Sequence, residues 1–168
     1  NLAILKIRIH DGIIWLGTND GIYSIDQKTK KWLHYNAFGY SVGQKTLVNQ
    51  RVRGIAEDAA AFYFVSEMGV TRFDKANKTW ESIPIITDFL QPGINDAVCD
   101  ERNLWIATNS GVLRYAKKNK KWIYYGVQDG LADGVVNVVL IDGDYVWFGT
   151  NKGITQFYWN APHLLDSE

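Results

Sequence analysis

The chain has 168 residues, a length that suits one domain with a real hydrophobic core. Lys plus Arg equals Asp plus Glu at 18 each, so the formal net charge is zero, which removes the electrostatic case for nucleic acid or an anionic membrane surface. No apolar run approaches the roughly 20 residues that cross a bilayer, and the single cysteine, Cys99, excludes an intramolecular disulfide.

Taken in order, the chain is a series of short apolar strands separated by turn residues. The first unit, residues 1 to about 46, predicts strands at 5–10, 13–18, 21–26 and 32–35, then a long link rich in Gly and aromatics. The second, 47 to about 90, predicts strands at 52–57, 62–66, 69–74 and 80–83, with Pro84 and Pro92 bracketing an exit loop outside any ladder. The third, about 91 to 131, predicts strands at 94–99, 104–108, 111–115 and 121–125, then the loop 126–134. The fourth starts near Val135 and holds three strands, ending near Tyr158, with 159–168 as a tail.

These units echo one another. Ile14-Trp15-Leu16-Gly17-Thr18-Asn19-Asp20-Gly21 returns as Leu104-Trp105-Ile106-Ala107-Thr108-Asn109-Ser110-Gly111 and as Val146-Trp147-Phe148-Gly149-Thr150-Asn151-Lys152-Gly153. A worn copy is Phe62-Tyr63-Phe64-Val65-Ser66-Glu67-Met68-Gly69. Trp15, Tyr63, Trp105 and Trp147 stand 48, 42 and 42 residues apart. Trp32, Trp80 and Trp122 each follow the turn glycine by 11 residues, across Lys-rich hairpin loops. A period near forty without a sustained 3.6-residue stripe predicts propeller blades rather than a helical solenoid. The predicted fold is all-β: a propeller arc of four antiparallel four-stranded blades, the last incomplete, within one partial domain of a larger propeller. A homodimer pairing two arcs is the second possibility, because an open arc leaves apolar faces and strand edges exposed.

Most candidate chemistry has a structural explanation. Trp15, Trp105 and Trp147 are predicted core, and Trp32, Trp80 and Trp122 packing between blades. The Thr-Asn-x-Gly segments are tight turns before they are a ring of hydrogen-bond donors. Cys99 is predicted a small buried hydrophobe. Asp11, Asp58, Asp100 and Asp142 are solvated turn residues without the ligand count of a calcium loop. His10, His34 and His163 do not converge, so no metal site or catalytic triad is expected, and no cofactor. The long links between blades are where a rigid scaffold carries function. They hold Tyr40, Arg51, Asp88, Phe89, Gln128 and Asp129, a mixture suited to a small molecule, a sugar, a peptide or a protein partner.

Asp129-Gly130-Leu131, then Val136, Val139 and Asp142, then Val146-Trp147-Phe148-Gly149-Thr150, closely resembles the two-component regulator propeller repeat. The resemblance covers about three full repeats and one partial. Tyr63, Ser66 to Gly69, and Ala107 depart from it. It implies a noncatalytic ligand-sensing or protein-interaction module, periplasmic or extracellular, attached to bacterial signalling machinery. The repeats are also similar to those of streptogramin lyase propellers, an enzyme alternative for which His10 is the one histidine near a channel. A structural scaffold is the third expectation.

Overall fold

The computed structural model describes residues 1–35, 51–67, 69–85 and 93–160. Among them the chain forms four antiparallel sheets. The first is β1 (Ile4–His10), β2 (Ile13–Thr18), β3 (Gly21–Asp26) and β4 (Trp32–Tyr35). The second is β5 (Val52–Glu57), β6 (Ala61–Ser66), β7 (Gly69–Asp74) and β8 (Trp80–Pro84). The third is β9 (Ile94–Cys99), β10 (Asn103–Thr108), β11 (Gly111–Ala116) and β12 (Lys121–Tyr125). The fourth is β13 (Val136–Asp142), β14 (Tyr145–Thr150) and β15 (Gly153–Tyr158). Strand order follows sequence order in every sheet, so each is a meander, the form of a propeller blade. The all-β, four-blade expectation, with three strands in the last blade, is what the structure has.

The turns explain why the phrase repeats. In each blade a hydroxyl donates to the carbonyl of the glycine three residues on: Thr18 to Gly21 at 2.9 Å, Ser66 to Gly69 at 2.9 Å, Thr108 to Gly111 at 2.8 Å and Thr150 to Gly153 at 2.8 Å. The same oxygen accepts from the backbone of Asp20, Ser110 and Lys152. Ser66 thus does in the worn copy what threonine does elsewhere. The glycines have positive φ, from 91° to 157°. The hydroxyls serve the turn, as turn chemistry requires.

A second repeated device sits in the first strand of each blade. Register slips by one residue at Leu5, Arg53, Asn95 and Asn137, a bulge at one repeat position. In blades three and four the bulged asparagine donates to the turn asparagine: Asn95 to Asn109 at 2.9 Å and Asn137 to Asn151 at 2.8 Å.

The chain divides into two compact units, Asn1–Ile85 and Ile86–Glu168. In the first, Trp15 of blade one is buried against blade two, with ring centres 5.3, 5.5 and 5.4 Å from Phe62, Phe64 and Phe73. Trp80 closes this cluster against Phe73 and Tyr35. In the second, Trp105 of blade three meets Phe148 and Phe157 of blade four at 5.8 and 6.0 Å. One rule builds both cores: the tryptophan face of a sheet packs on the opposite face of the next, in tilted and edge-on contacts.

Several expectations need correction. Trp147 lies on the same sheet face as Trp15 and Trp105 but is only half-buried, because no further sheet covers it in the described structure. Trp32 does not pack between blades: it is exposed and touches Tyr23 of its own sheet edge-on. Trp159 is not tail but core. Its backbone amide bonds to Asp144, as those of Gln27, Lys75 and Lys117 bond to Gly12, Ala60 and Arg102, so it occupies their repeat position. Cys99 is half-buried on β9. Pro84 lies inside the ladder as the last residue of β8, an edge strand, where its missing N–H costs nothing.

Two glycines separate backbone conformation from packing. A Cβ on Gly111 (φ 107°) would lie 2.4 Å from the Tyr125 carbonyl, whereas one on Gly153 (φ 135°) meets nothing within 4 Å. Gly153→Ala is expected to cost about 1–3 kcal/mol through φ alone, and Gly111→Ala measurably more by urea unfolding; equal costs would show the contact to be irrelevant.

Candidate functional site

In each described sheet one edge carries the first and third hairpin turns, and the other carries the Thr-Asn-x-Gly turn, from which the links to the next sheet also depart. A hollow lies on the first of these edges, in the first unit. It holds about 510 Å³, within the range of small-molecule sites. Its wall is apolar, from Ile13, Trp15, Phe62 and Phe73, and its mouth is polar, from His10, Asp11, Asp74, Lys75, Asn77 and Lys78.

Local structure places these groups. β1 ends at His10 and reverses through Asp11 and Gly12, both left-handed at φ 47° and 73°. β5 ends at Glu57, beside the turn in which the Asp58 carboxylate accepts the amides of Ala60 and Ala61 at 2.8 and 2.7 Å. Asp74 ends β7, and its carboxylate accepts the amides of Ala76 and Asn77 at 3.1 and 2.8 Å. Of the acidic turn residues singled out in the sequence, Asp58 and Asp100 are therefore bound to backbone amides rather than merely solvated, whereas Asp11 is exposed and faces His10.

Glu57 is the hub. Its Oε1 lies 2.5 Å from His10 Nδ1 and 2.6 Å from Lys75 Nζ, and its Oε2 lies 3.8 Å from Arg8 Nε. Asp11 Oδ2 lies 3.1 Å from His10 Nε2, so both ring nitrogens face carboxylates. Lys75 also donates to the Asp58 carbonyl at 2.7 Å and stands 4.7 Å above the Phe62 ring. His10 meets the same ring edge-on at 5.5 Å. Glu57 and Lys75 are only 16% exposed, so their charges are held largely out of water and depend on one another. No three His, Cys, Asp or Glu side chains among the described residues could hold a metal ion.

The second unit has the sister groove, about 460 Å³, lined by Asp100, Arg102, Ile141, Asp144 and Trp159. By repeat position Ile141 corresponds to Glu57 and Trp159 to Lys75. The ion pair of one groove is thus replaced by an aliphatic–indole pair in the other. Lys117 donates to the Asp100 carbonyl as Lys75 does to that of Asp58, so this lysine bond is part of the repeat and the Glu57 pair is not. Arg102 and Arg114 lie 5.9 and 6.0 Å from the Trp159 ring centre.

The residues singled out in the links lie elsewhere. Arg51 is exposed just before β5. Gln128 and Asp129 are exposed in a 3-10 turn, Val127–Asp129, where the Asp129 carboxylate accepts the Gly126 amide at 2.8 Å. None of these three lines either groove. Tyr40, Asp88 and Phe89 lie outside the described residues. Glu57 and Lys75 were missed, although aligning them with Ile141 and Trp159 would have marked them.

No protein-family model matches the sequence, and no curated protein matches it. Solved structures do. The extracellular domain of BT4673 from B. thetaiotaomicron, described as a hybrid two-component system, is 15% identical over 89% of this chain and 26% of its own, with a TM-score of 0.59. PorZ, a bacterial surface component of the type-IX secretion system of Porphyromonas gingivalis, is 15% identical over 98% of this chain and 27% of its own, with a TM-score of 0.65. The computationally designed Ika4 protein is 13% identical over 93% of this chain and 91% of its own, with a TM-score of 0.68. At these identities the likeness is one of fold. The chain spans about a quarter of the BT4673 and PorZ structures. No helix among the described residues is long and apolar enough to cross a membrane.

The Asn77 amide holds the Asp74 carboxyl below its ordinary value of 3.8; desolvation opposes this, and Arg72 and the Ala76 amide reinforce it. A depressed folded-state value stabilises the protein above the ordinary value and is lost as pH falls through the depressed one. Asp74→Asn is expected to be less stable than the parent at pH 7 in urea titrations, with the gap starting to narrow below about pH 4 and shrinking further as pH falls through the depressed value; a gap as large at about pH 2.5 as at pH 7 would refute this assignment.

Proposed function

We propose that this chain belongs to a noncatalytic sensing module of the two-component regulator propeller type, acting in the periplasm or outside the cell, with its ligand site in the groove lined by His10 and Lys75. The observation that carries this is the departure from the repeat. Where the sister groove has Ile141 and Trp159, this one has a nearly buried Glu57–Lys75 pair joined by His10. A charged pair held out of water is a costly replacement for an apolar one, and its Lys75, with His10, lines the mouth of a hollow with an aromatic wall. Carboxylate, ammonium and imidazole groups over aromatic rings suit a glycan or a peptide, which present both hydrogen-bonding groups and apolar faces.

What supports binding over catalysis is the orientation of His10. Both of its ring nitrogens are directed at carboxylates, so neither is aimed into the hollow at a substrate. The likeness to extracellular and surface propellers supports the compartment.

A melting-shift screen with glycans and short peptides tests the reading. A ligand at one hundred times its Kd adds about 2.7 kcal/mol, which for a chain of this size raises Tm by about 5–10 °C. The shift is expected to vanish in Lys75→Ala and to survive in Arg51→Ala. The reverse pattern would move the site to the links between blades, and turnover of a bound compound would overturn the noncatalytic reading.

A further inference from the structure

The charged groups around the first hollow differ in whether they have a partner. His10 faces Glu57 and Asp11, and Lys75 holds Glu57 at 2.6 Å. Asp74 accepts the amides of Ala76 and Asn77, and a guanidinium N–H of Arg72 at 3.1 Å. Of the charged and amide side chains that line the hollow, only those of Asn77 and Lys78 make no hydrogen bond or ion pair among the described residues. The Lys78 ammonium stands 5.9 Å from the centre of the Phe73 ring. That is the outer limit of a cation–π contact, so the ring offsets little of its charge.

The backbone fixes where this lysine stands. Its amide donates to the Asp74 carbonyl at 3.0 Å, and its φ is left-handed at 55°. Lys30 and Lys120 occupy the same loop position in blades one and three, with φ of 59° and 55°. Left-handed backbone favours glycine or asparagine, yet all three loops have lysine there. Of the three, Lys78 alone lines either of the two grooves described above.

Beneath Lys78 the wall is aliphatic and aromatic, from Ile13, Trp15, Phe62 and Phe73. A sugar would need partners for several hydroxyls, and most polar groups at this mouth are already bound to one another. A ligand with one acid group and an apolar body needs only what is free, an ammonium beside an apolar surface.

We infer that the hollow takes the C-terminal residue of a peptide ending in an aliphatic or aromatic side chain, its carboxylate on Lys78 and its side chain against the wall. This narrows, and rests on, the reading of the hollow as the ligand site. In a C-terminal residue the acid and the side chain diverge from one carbon, as the ammonium and the Phe73 ring stand side by side here. An internal Asp or Glu carries its carboxylate at the tip of the side chain, with no apolar body left to fill the hollow. Asn77 supplies a donor and an acceptor for the last peptide bond.

Isothermal titration of the 168-residue chain with acetylated Gly-Gly-Phe and Gly-Gly-Leu, each beside its C-terminal amide, reads this. The acids are expected to bind about tenfold more tightly than the amides. The advantage is expected to shrink as salt rises from about 10 to about 500 mM. An amidated peptide with one internal Asp, equal in charge, is expected to bind no better than the other amides. Lys78→Asn keeps a residue suited to left-handed backbone and is expected to erase the advantage while leaving the amides unchanged. Lys30→Asn, at the same loop position outside the groove, is expected to keep it. If Lys78→Asn departs from the parent far-ultraviolet spectrum, Lys78→Gly replaces it. Equal affinity of acid and amide, tight binding of the internal-Asp peptide, equal loss in Lys30→Asn, or no binding of any of these peptides overturns the C-terminal assignment. Where a neutral glycan still gives a melting shift that Lys75→Ala removes, those outcomes leave the ligand site standing; where no compound gives such a shift, the site falls with it.

Discussion

A four-stranded meander has two faces and can bury neither by itself. That constraint governs this molecule. Each sheet carries a row of large apolar side chains on both sides, and the only remedy is another sheet at about 10 Å. Trp15 and Trp105 show how the remedy works: an indole from one sheet fills the space among the phenylalanines of the next. Truncating such a residue ordinarily costs about 3–5 kcal/mol, several times what any surface ion pair supplies. The hydrophobic joint therefore decides which faces meet, and the polar groups adapt to it.

Register is the second requirement, since a one-residue slip would turn Trp15 away from the joint. The chain meets it with local devices repeated at fixed positions. The hydroxyl-to-glycine bond closes the second hairpin of every blade, and the bulge beside it sets the phase of the first strand. In the second unit one of these devices also reaches between sheets, because Asn95 donates to the Val136 carbonyl as well as to Asn109. Short-range turn chemistry and long-range burial point to the same pairing, which is the consistency a specific fold needs.

The fold was legible because its signals are local. Apolar runs of six residues, a hydroxyl before Asn-x-Gly, and a tryptophan at constant spacing fixed strands and hairpins to within a residue or two. What the spacing could not convey was which copies have a neighbour. Trp15, Trp105 and Trp147 are equivalent in sequence, yet the last is half-buried, because burial depends on the next sheet and not on the residue itself. Trp159 misled for a different reason: reckoned from the preceding tryptophan it falls on a lysine position of the repeat, and an indole there did not look like part of the pattern. The groove was legible only by comparison between copies. Glu57 and Lys75 are unremarkable alone and conspicuous beside Ile141 and Trp159.

That comparison suggests where a repeat protein can specialise. Positions inside the joint are held to apolar residues by the cost of leaving a face uncovered, and positions in the hairpin turns by backbone geometry. The groove between neighbouring sheets at the first-hairpin edge is bound by neither. Its residues sit at the end of β5 and just after β7, at the border of the apolar cluster, where a charged pair can be accommodated if it is self-satisfied and where solvent still reaches one side. Glu57 meets that condition through Lys75, His10 and Arg8. Trp159 meets the alternative condition by filling the space. A scaffold built from copies can therefore keep its joints uniform while its grooves diverge, and in this chain a Glu57–Lys75 ion pair stands at one groove where the other has Ile141 and Trp159.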